Sequence, residues 1–174
     1  LSGRNIDPAQ VSYLAHGTTV ATNALIEKKG AKMGLITTEG FKDLLEIGWQ
    51  RRPSLYDLRR PKAESLIPPG MKQEVTERIL HDGSVLTPLD EESVRNAVRL
   101  LKEMGAQTIA VCTLFSFLNP VHEDRIKEII QEEFPGAYVS ASHDLVSEFR
   151  EYSRMSTTML NAYLGPVMKE YVHN

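Results

Sequence analysis

"HGTTVATNALIEKKGAKMGLITT" (His16–Thr38) is the stretch on which the fold turns. A short apolar run, "VSYLA" (Val11–Ala15), precedes it and reads as a strand. A loop of one histidine, one glycine and two threonines follows. Val20, Ala21, Ala24 and Leu25 then recur at the spacing of one helix face, so Thr19–Lys29 is expected to be helical. Thr18 or Thr19 can cap that helix, Lys28 and Lys29 suit its negative end, and Gly30 stops it. "KMGLITT" returns to a strand, and "GFKDLLEIG" is a short helix. This alternation predicts an α/β fold, a sheet covered by helices.

The alternation breaks at Gly48. "GWQRRPSLYDLRRPKAESLIPPG" has no sustained period and carries four arginines, four prolines and the single tryptophan. Loops of this length are uncommon inside compact domains and tend to be functional or disordered. A solvated excursion and a partner-contacting arm are both open readings; Trp49, Leu55 and Tyr56 favour the arm, being costly to leave in water.

Regular elements then resume. "KQEVTERILHDGSVLTPL" reads as a hairpin turning at His81–Ser84. "LDEESVRNAVRLLKEMG" is an amphipathic helix, capped by Asp90, ended by Gly105, and apolar at Val94, Ala97, Val98, Leu101 and Met104. Thr108–Thr113 is a buried strand. A helix opens at "NPVHED", capped by Asn119, with Ile126, Ile129 and Ile130 facing inward. "AYVSAS" is another short strand. A long helix runs from about Glu148, its buried side supplied by Met159, Leu160, Tyr163, Leu164, Val167, Met168 and Tyr171, with a bend expected at Pro166. Its other side is expected to gather Arg150, Arg154, Thr157, Thr158 and Asn161.

Composition narrows the function. The chain has 174 residues, 41% hydrophobic and 25% charged, with a formal net charge of −3. No long Lys/Arg run offers the positive field that nucleic-acid binding needs. The most apolar stretch, "TIAVCTLFSFL", is too short to span a bilayer as a helix, so no membrane partner is expected. The lone Cys112 cannot form an internal disulfide, which points to a reducing, cytoplasmic setting. No metal-ligand spacing and no nucleophile elbow are present. The four histidines after His16 fall in turns, at helix starts or at the terminus, where solvated or capping roles suffice.

Two constellations remain. His16, Thr18, Thr19 and Asn23 surround a helix start, where free N–H groups favour an anionic oxygen and a histidine can pass a proton. Arg150, Arg154 and Thr157 can clamp a phosphate or carboxylate from the long helix. Caps and wet helix faces explain the same residues on chemistry alone.

Taken in order, "HGTTVATNALIEKKGAKMGLITTEGFKDLLEIGWQRRPSLYDL", "DGSVLTPLDEESV", "FSFLNPVHE" and "REYSRMSTTMLNAYLGP" resemble the N-terminal region of the A-type subunit of the hydantoinase/oxoprolinase family. That family includes N-methylhydantoinases, 5-oxoprolinases and related ketone carboxylase subunits. The resemblance implies part of an actin-like, ribonuclease H-like ATPase lobe with a mixed sheet. Such subunits open on a strand and a "DxGGTFTD"-like phosphate loop, so residues 1–174 are expected to be a single α/β domain, a fragment of a larger subunit lacking the first strands.

The activity implied is ATP-dependent opening of a five-membered cyclic amide, a hydantoin or 5-oxoproline; carboxylation of a ketone such as acetone or acetophenone is the alternative. A lactam carbonyl is a poor electrophile, and ATP supplies a leaving group on its oxygen. ATP with Mg2+ is the implied cofactor of the full-length protein, with none bound to this fragment, which should turn over no ATP alone. From their position and chemistry, His16, Thr18 and Thr19 are expected to be the catalytic contacts with substrate or phosphate oxygens, and Asn23 to support that loop. Arg150, Arg154 and Thr157 would face them. A further alternative is a subunit contact without a catalytic role, with Trp49, Arg52 and Tyr56 docking a B-type subunit.

Overall fold

The computed structural model describes residues 12–13, 17–50, 57, 59 and 65–173. Four strands form one parallel sheet in the order β2 (Lys72–Val75), β1 (Met33–Thr38), β5 (Thr108–Cys112), β6 (Tyr138–Ala141). The two central strands, β1 and β5, are buried along their whole length, paired from Met33 with Thr108 to Thr37 with Cys112. Burial on both faces is why they read as continuous apolar runs rather than alternating ones.

The remaining elements cover the two faces. α3 (Glu91–Glu103) and α4 (Val121–Glu133) pack together on one side; α6 (Glu151–His173) lies on the other, against β5 and β6 and touched by the short α5 (Ser142–Leu145). α2 (Leu44–Ile47) and α1 (Val20–Ile26) rest on α6. The links β2–α3–β5 and β5–α4–β6 advance one way across the sheet, whereas β1–α2–β2 goes back. Right-handed crossovers then put α3 and α4 on one face and α2 on the opposite one, as observed.

Leu35, Ile36, Val98, Leu101, Ile109, Val111, Ile126, Ile129 and Ile130 are fully buried between these layers. Truncating one such leucine or isoleucine to alanine costs about 2–5 kcal/mol. Gly34 sits under this packing, since a Cβ there would lie 2.6 Å from Leu101 Cδ2. Asp90 caps α3 by accepting from the Glu92 N–H at 3.1 Å, and Asn119 Oδ1 accepts from the Val121 N–H at 3.2 Å.

Several expectations change in detail. The turn at His81–Ser84 joins a separate antiparallel ribbon, β3 (Arg78–Ile79) with β4 (Val85–Thr87), while the start of the same segment, β2, joins the parallel sheet. Antiparallel pairing is thus confined, among the described residues, to that ribbon. Gly30 does not end α1 through its conformation: Lys28 takes the left-handed turn, with φ 54°. Gly30 is required by close approach, because a Cβ there would stand 2.2 Å from the Tyr163 ring. Tyr171, expected inside, is exposed, as is all of Lys169–His173. The strand expected over Val11–Ala15 falls largely outside the described residues.

Candidate functional site

The strand order reverses between β1 and β5, and open parallel sheets form ligand crevices outside the strand ends at such a point. Here the place is occupied by the chain's own polar side chains. Three successive N–H groups leave β5, and each meets a side-chain oxygen. Thr113 N–H donates to Glu123 Oε1 at 2.8 Å, Leu114 N–H to Thr38 Oγ1 at 3.0 Å, and Phe115 N–H to Glu151 Oε1 at 3.3 Å. Phe115 itself holds φ 55°, a left-handed conformation that costs an aromatic residue roughly 1–3 kcal/mol. The three anchors offset it.

Behind them the network closes. Glu77, buried, joins the Thr38 hydroxyl to His122 Nδ1, the latter at 2.7 Å. Arg154, 1% exposed, donates from Nη2 to Thr113 O at 2.6 Å and Glu151 Oε1 at 3.2 Å, and from Nη1 to Ser116 Oγ. Glu123 accepts from Ser142 Oγ at 2.7 Å, from the His143 N–H at 3.0 Å and from His143 Nδ1 at 2.8 Å. The other nitrogen, His143 Nε2, stands 3.1 Å from both Asp124 Oδ1 and Asp144 Oδ1. Carboxylates only accept, so this geometry calls for a doubly protonated ring.

Charge follows from these contacts. Burial pushes the Glu123 carboxyl up, but the donors from His143, Ser142 and Thr113 hold it below the usual range. The bond to Glu123 raises His143 above its ordinary value against the opposing effect of burial, with Asp144 and Asp124 adding to the rise. Burial pushes the Cys112 thiol up to about 12, which makes it a packed side chain and no nucleophile.

A second feature lies along α6, toward the start of β6. Ala21 of α1, Tyr138, and Thr157, Leu160, Asn161 and Gly165 of α6 line a groove of about 400 Å3. Gly165 lets the Tyr138 ring lie flat against the helix, since a Cβ there would fall 2.4 Å from the ring. Asn161 Nδ2 donates to Tyr138 Oη at 3.2 Å and to Ser140 Oγ at 2.9 Å. Ser140 gives its own proton to Thr158 O at 3.2 Å, so it can only accept from Asn161, and the amide orientation follows.

The expected site residues separate. His16, Arg52 and Tyr56 lie outside the described residues. Thr18 Oγ1 accepts from the Val20 N–H at 3.2 Å, and Thr19 Oγ1 from Asn23 Nδ2 at 3.5 Å, so both threonines serve the start of α1. The expected polar face of the long helix holds only in part: Arg154, Thr158 and Asn161 share a line that meets the sheet, while Arg150 and Thr157 do not join them there. Arg150 precedes α6, with φ 93°, and sits 5.7 Å from the Trp49 ring centre. Arg154 and Thr158 turn into the sheet, because a buried guanidinium is tolerated where carbonyls and a carboxylate receive it. Thr157 stays exposed, bonded to Ser153 O at 3.0 Å. Trp49, 53% exposed, meets Tyr152 edge-on at 5.5 Å.

The threonines are engaged locally, both Arg154 Nη atoms are committed, and no group of three His, Cys, Asp or Glu side chains among the described residues is arranged to hold a metal ion. Sequence reasoning passed over Glu123 and His122 as helix-start residues. The signal was present: both fall on the helix face of Ile126, Ile129 and Ile130, and both are buried.

Comparison with known proteins places this geometry in a family. The model of the hydantoinase/oxoprolinase N-terminal region matches residues 1–134. Caprolactamase subunit alpha of Pseudomonas jessenii is 41% identical over 166 residues, 94% of this chain and 24% of that one. The acetophenone carboxylase gamma subunit of Aromatoleum aromaticum is 38% identical over 173 residues, 92% of this chain and 24% of that one. For 5-oxoprolinase 1 of Arabidopsis thaliana the identity is 35% over 182 residues, 94% of this chain and 14% of that one. The crystal structure of ATP-dependent caprolactamase from Pseudomonas jessenii overlays with a TM-score of 0.87 at 37% identity, covering 99% of this chain and 26% of that one. The chain thus spans about a quarter or less of these relatives' length.

Proposed function

The chain belongs to the hydantoinase/oxoprolinase family, and from that membership we propose that it is one α/β domain of an ATP-dependent hydrolase subunit that opens a five-membered cyclic amide. Hydantoin and 5-oxoproline are the first substrates to test. The observation that carries this reading is the overlay of nearly the whole chain on ATP-dependent caprolactamase. ATP and Mg2+ belong, in this reading, to parts of the subunit other than the described residues. The 174-residue piece alone hydrolyses no ATP.

Within the subunit, His16, Thr18 and Thr19 contact substrate oxygens, Asn23 supports their loop, and Thr157 faces them from α6. Arg154 and Arg150 keep only a positioning role, through the strand-end loop and through Trp49. Trp49, with Arg52 and Tyr56, contacts a B-type partner. Two relatives are themselves named subunits, which supports an assembly. A half-exposed tryptophan flanked by arginine and tyrosine has the composition of an interface anchor. The working compartment in this reading is the cytoplasm, a reducing setting that the lone, buried Cys112 fits.

Ketone carboxylation is a second reading, favoured by the near-equal likeness to the acetophenone carboxylase gamma subunit. Phosphate or ADP release by the complete subunit with its partner separates the two. Stimulation by hydantoin or 5-oxoproline supports the proposal; stimulation by caprolactam alone keeps the hydrolase and overturns the five-membered ring, and stimulation only by acetone or acetophenone with bicarbonate overturns the hydrolase.

A further inference from the structure

We propose that the groove between α1 and α6 binds the amide edge of a small lactam, read by Tyr138 and Asn161. The inference rests on the hydrolase reading only for the choice of ring. Its physical basis is the hydrogen bonding left over in the groove. Asn161 donates both Nδ2 protons, to Tyr138 Oη and Ser140 Oγ, and among the described residues no donor reaches its Oδ1. Tyr138 Oη accepts from Asn161, and among the described residues its own proton meets no acceptor. The Thr157 hydroxyl gives its proton to Ser153 O and keeps its lone pairs. One donor and one acceptor that no described residue answers are therefore linked through the Asn161 amide, whose Nδ2 lies 3.2 Å from Tyr138 Oη.

That pair has a specific complement. Ring closure holds a lactam's N–H and C=O on the same side, so the N–H can donate to Asn161 Oδ1 while the C=O accepts from the Tyr138 hydroxyl. An open-chain secondary amide turns the two groups to opposite sides and satisfies only one partner. The rest of the groove is apolar where the ring's methylene groups would lie, at Ala21, Leu160 and Gly165. A volume of about 400 Å3 lies within the range of small-molecule sites, roughly 300–1,000 Å3. The same arrangement favours release: hydrolysis of the ring destroys the paired edge that the groove recognises. Tyr138 cannot turn away from α6 at low cost, because Gly165 seats its ring and Asn161 ties its hydroxyl.

The test is equilibrium binding of hydantoin and 2-pyrrolidone to the complete subunit without ATP, by calorimetry or ligand-observed NMR. N-methyl-2-pyrrolidone, which lacks the N–H, and N-methylacetamide, which is open-chain, are the controls. Tyr138→Phe keeps the ring and removes the donor, so lactam affinity should fall about tenfold, the worth of one lost hydrogen bond. Thr157→Trp closes the groove mouth from an exposed position and should abolish binding with the fold intact. Equal affinity for the lactams and both controls overturns the proposal, as does unchanged lactam affinity in Tyr138→Phe and Thr157→Trp. No lactam binding at millimolar concentration overturns it too. Turnover is scored separately: lactam-dependent ATP consumption with KM unchanged in Tyr138→Phe removes the groove and leaves the hydrolase reading standing. Ketone-dependent turnover removes that reading, while the binding data still decide the groove.

Discussion

The strand-end network is built of carboxylates, an arginine, histidines and hydroxyls, the α1–α6 groove of a phenol, an amide and a hydroxyl among apolar side chains, and the two are opposites in how those groups are answered. At the strand ends nearly every polar atom is answered by another; among the buried side chains there, Thr113 Oγ1, Glu151 Oε2 and Arg154 Nε are the exceptions. In the groove, Tyr138 and Asn161 each keep one group that no described residue answers. A satisfied buried network rigidifies, because breaking any member leaves its partners unpaired in a medium of low dielectric. An unsatisfied pair at a surface costs nothing while water serves it, and is free to select a ligand. The contrast teaches that the crevice position marked by topology is here a scaffold, while recognition chemistry lies along the helix pair.

The largest expected effect breaks the scaffold. Glu123→Ala leaves Thr113 N–H, Ser142 Oγ and both His143 donors without their acceptor, and should cost about 3–5 kcal/mol in urea unfolding. A loss below about 1 kcal/mol would show that the network is not what holds the strand ends.

Next comes the groove wall. Gly165→Ala places a Cβ 2.4 Å from the Tyr138 ring, so overpacking of about 1–3 kcal/mol competes with a helix-propensity gain of about 1. The net stability change should be small, while Tyr138 shifts and lactam binding weakens. Unaltered binding would separate the groove from its tyrosine.

The pH dependence sharpens the comparison from the scaffold side. His143 is raised, so its contribution to stability is complete below its unfolded value near 6.5 and is lost as pH rises through the higher folded value. Glu123 is lowered, so its contribution is present above about 4.5 and is lost as pH falls through the lower folded value. Melting temperature against pH should therefore show a plateau between these limits. His143→Gln should remove the alkaline limb and shrink the acid one without abolishing it, since Ser142 and Thr113 still donate to Glu123. An alkaline limb that survives this substitution belongs to another group.

The smallest effect is expected at the groove mouth. Thr157→Val removes an exposed hydroxyl that bonds only to Ser153 O, and stability should stay within about 0.5 kcal/mol of the parent. A larger loss would make Thr157 part of the scaffold, and the contrast between the two regions would blur.

Local sequence patterns suffice for most of the elements and for their order. Helix faces such as Val94–Leu101, the caps Asp90 and Asn119, and the continuous apolar runs of the central strands are local patterns. They depend on periods of two or about 3.6 residues and on turn chemistry that no distant contact has to supply. Family membership was legible for a related reason, since it rests on ordered segments of the chain. Tertiary structure alone decided where the polar residues of α6 point. The same spacing puts Arg154 and Asn161 near one line of the helix, but Arg154 is drawn down by Thr113 O and Glu151, whereas Asn161 is held beside Tyr138 across the groove. Glu123 and Glu77 were buried for the same reason, because their partners come from strands and turns distant in sequence. Burying a charge is settled by what lies opposite it, and that is known only once the layers have packed.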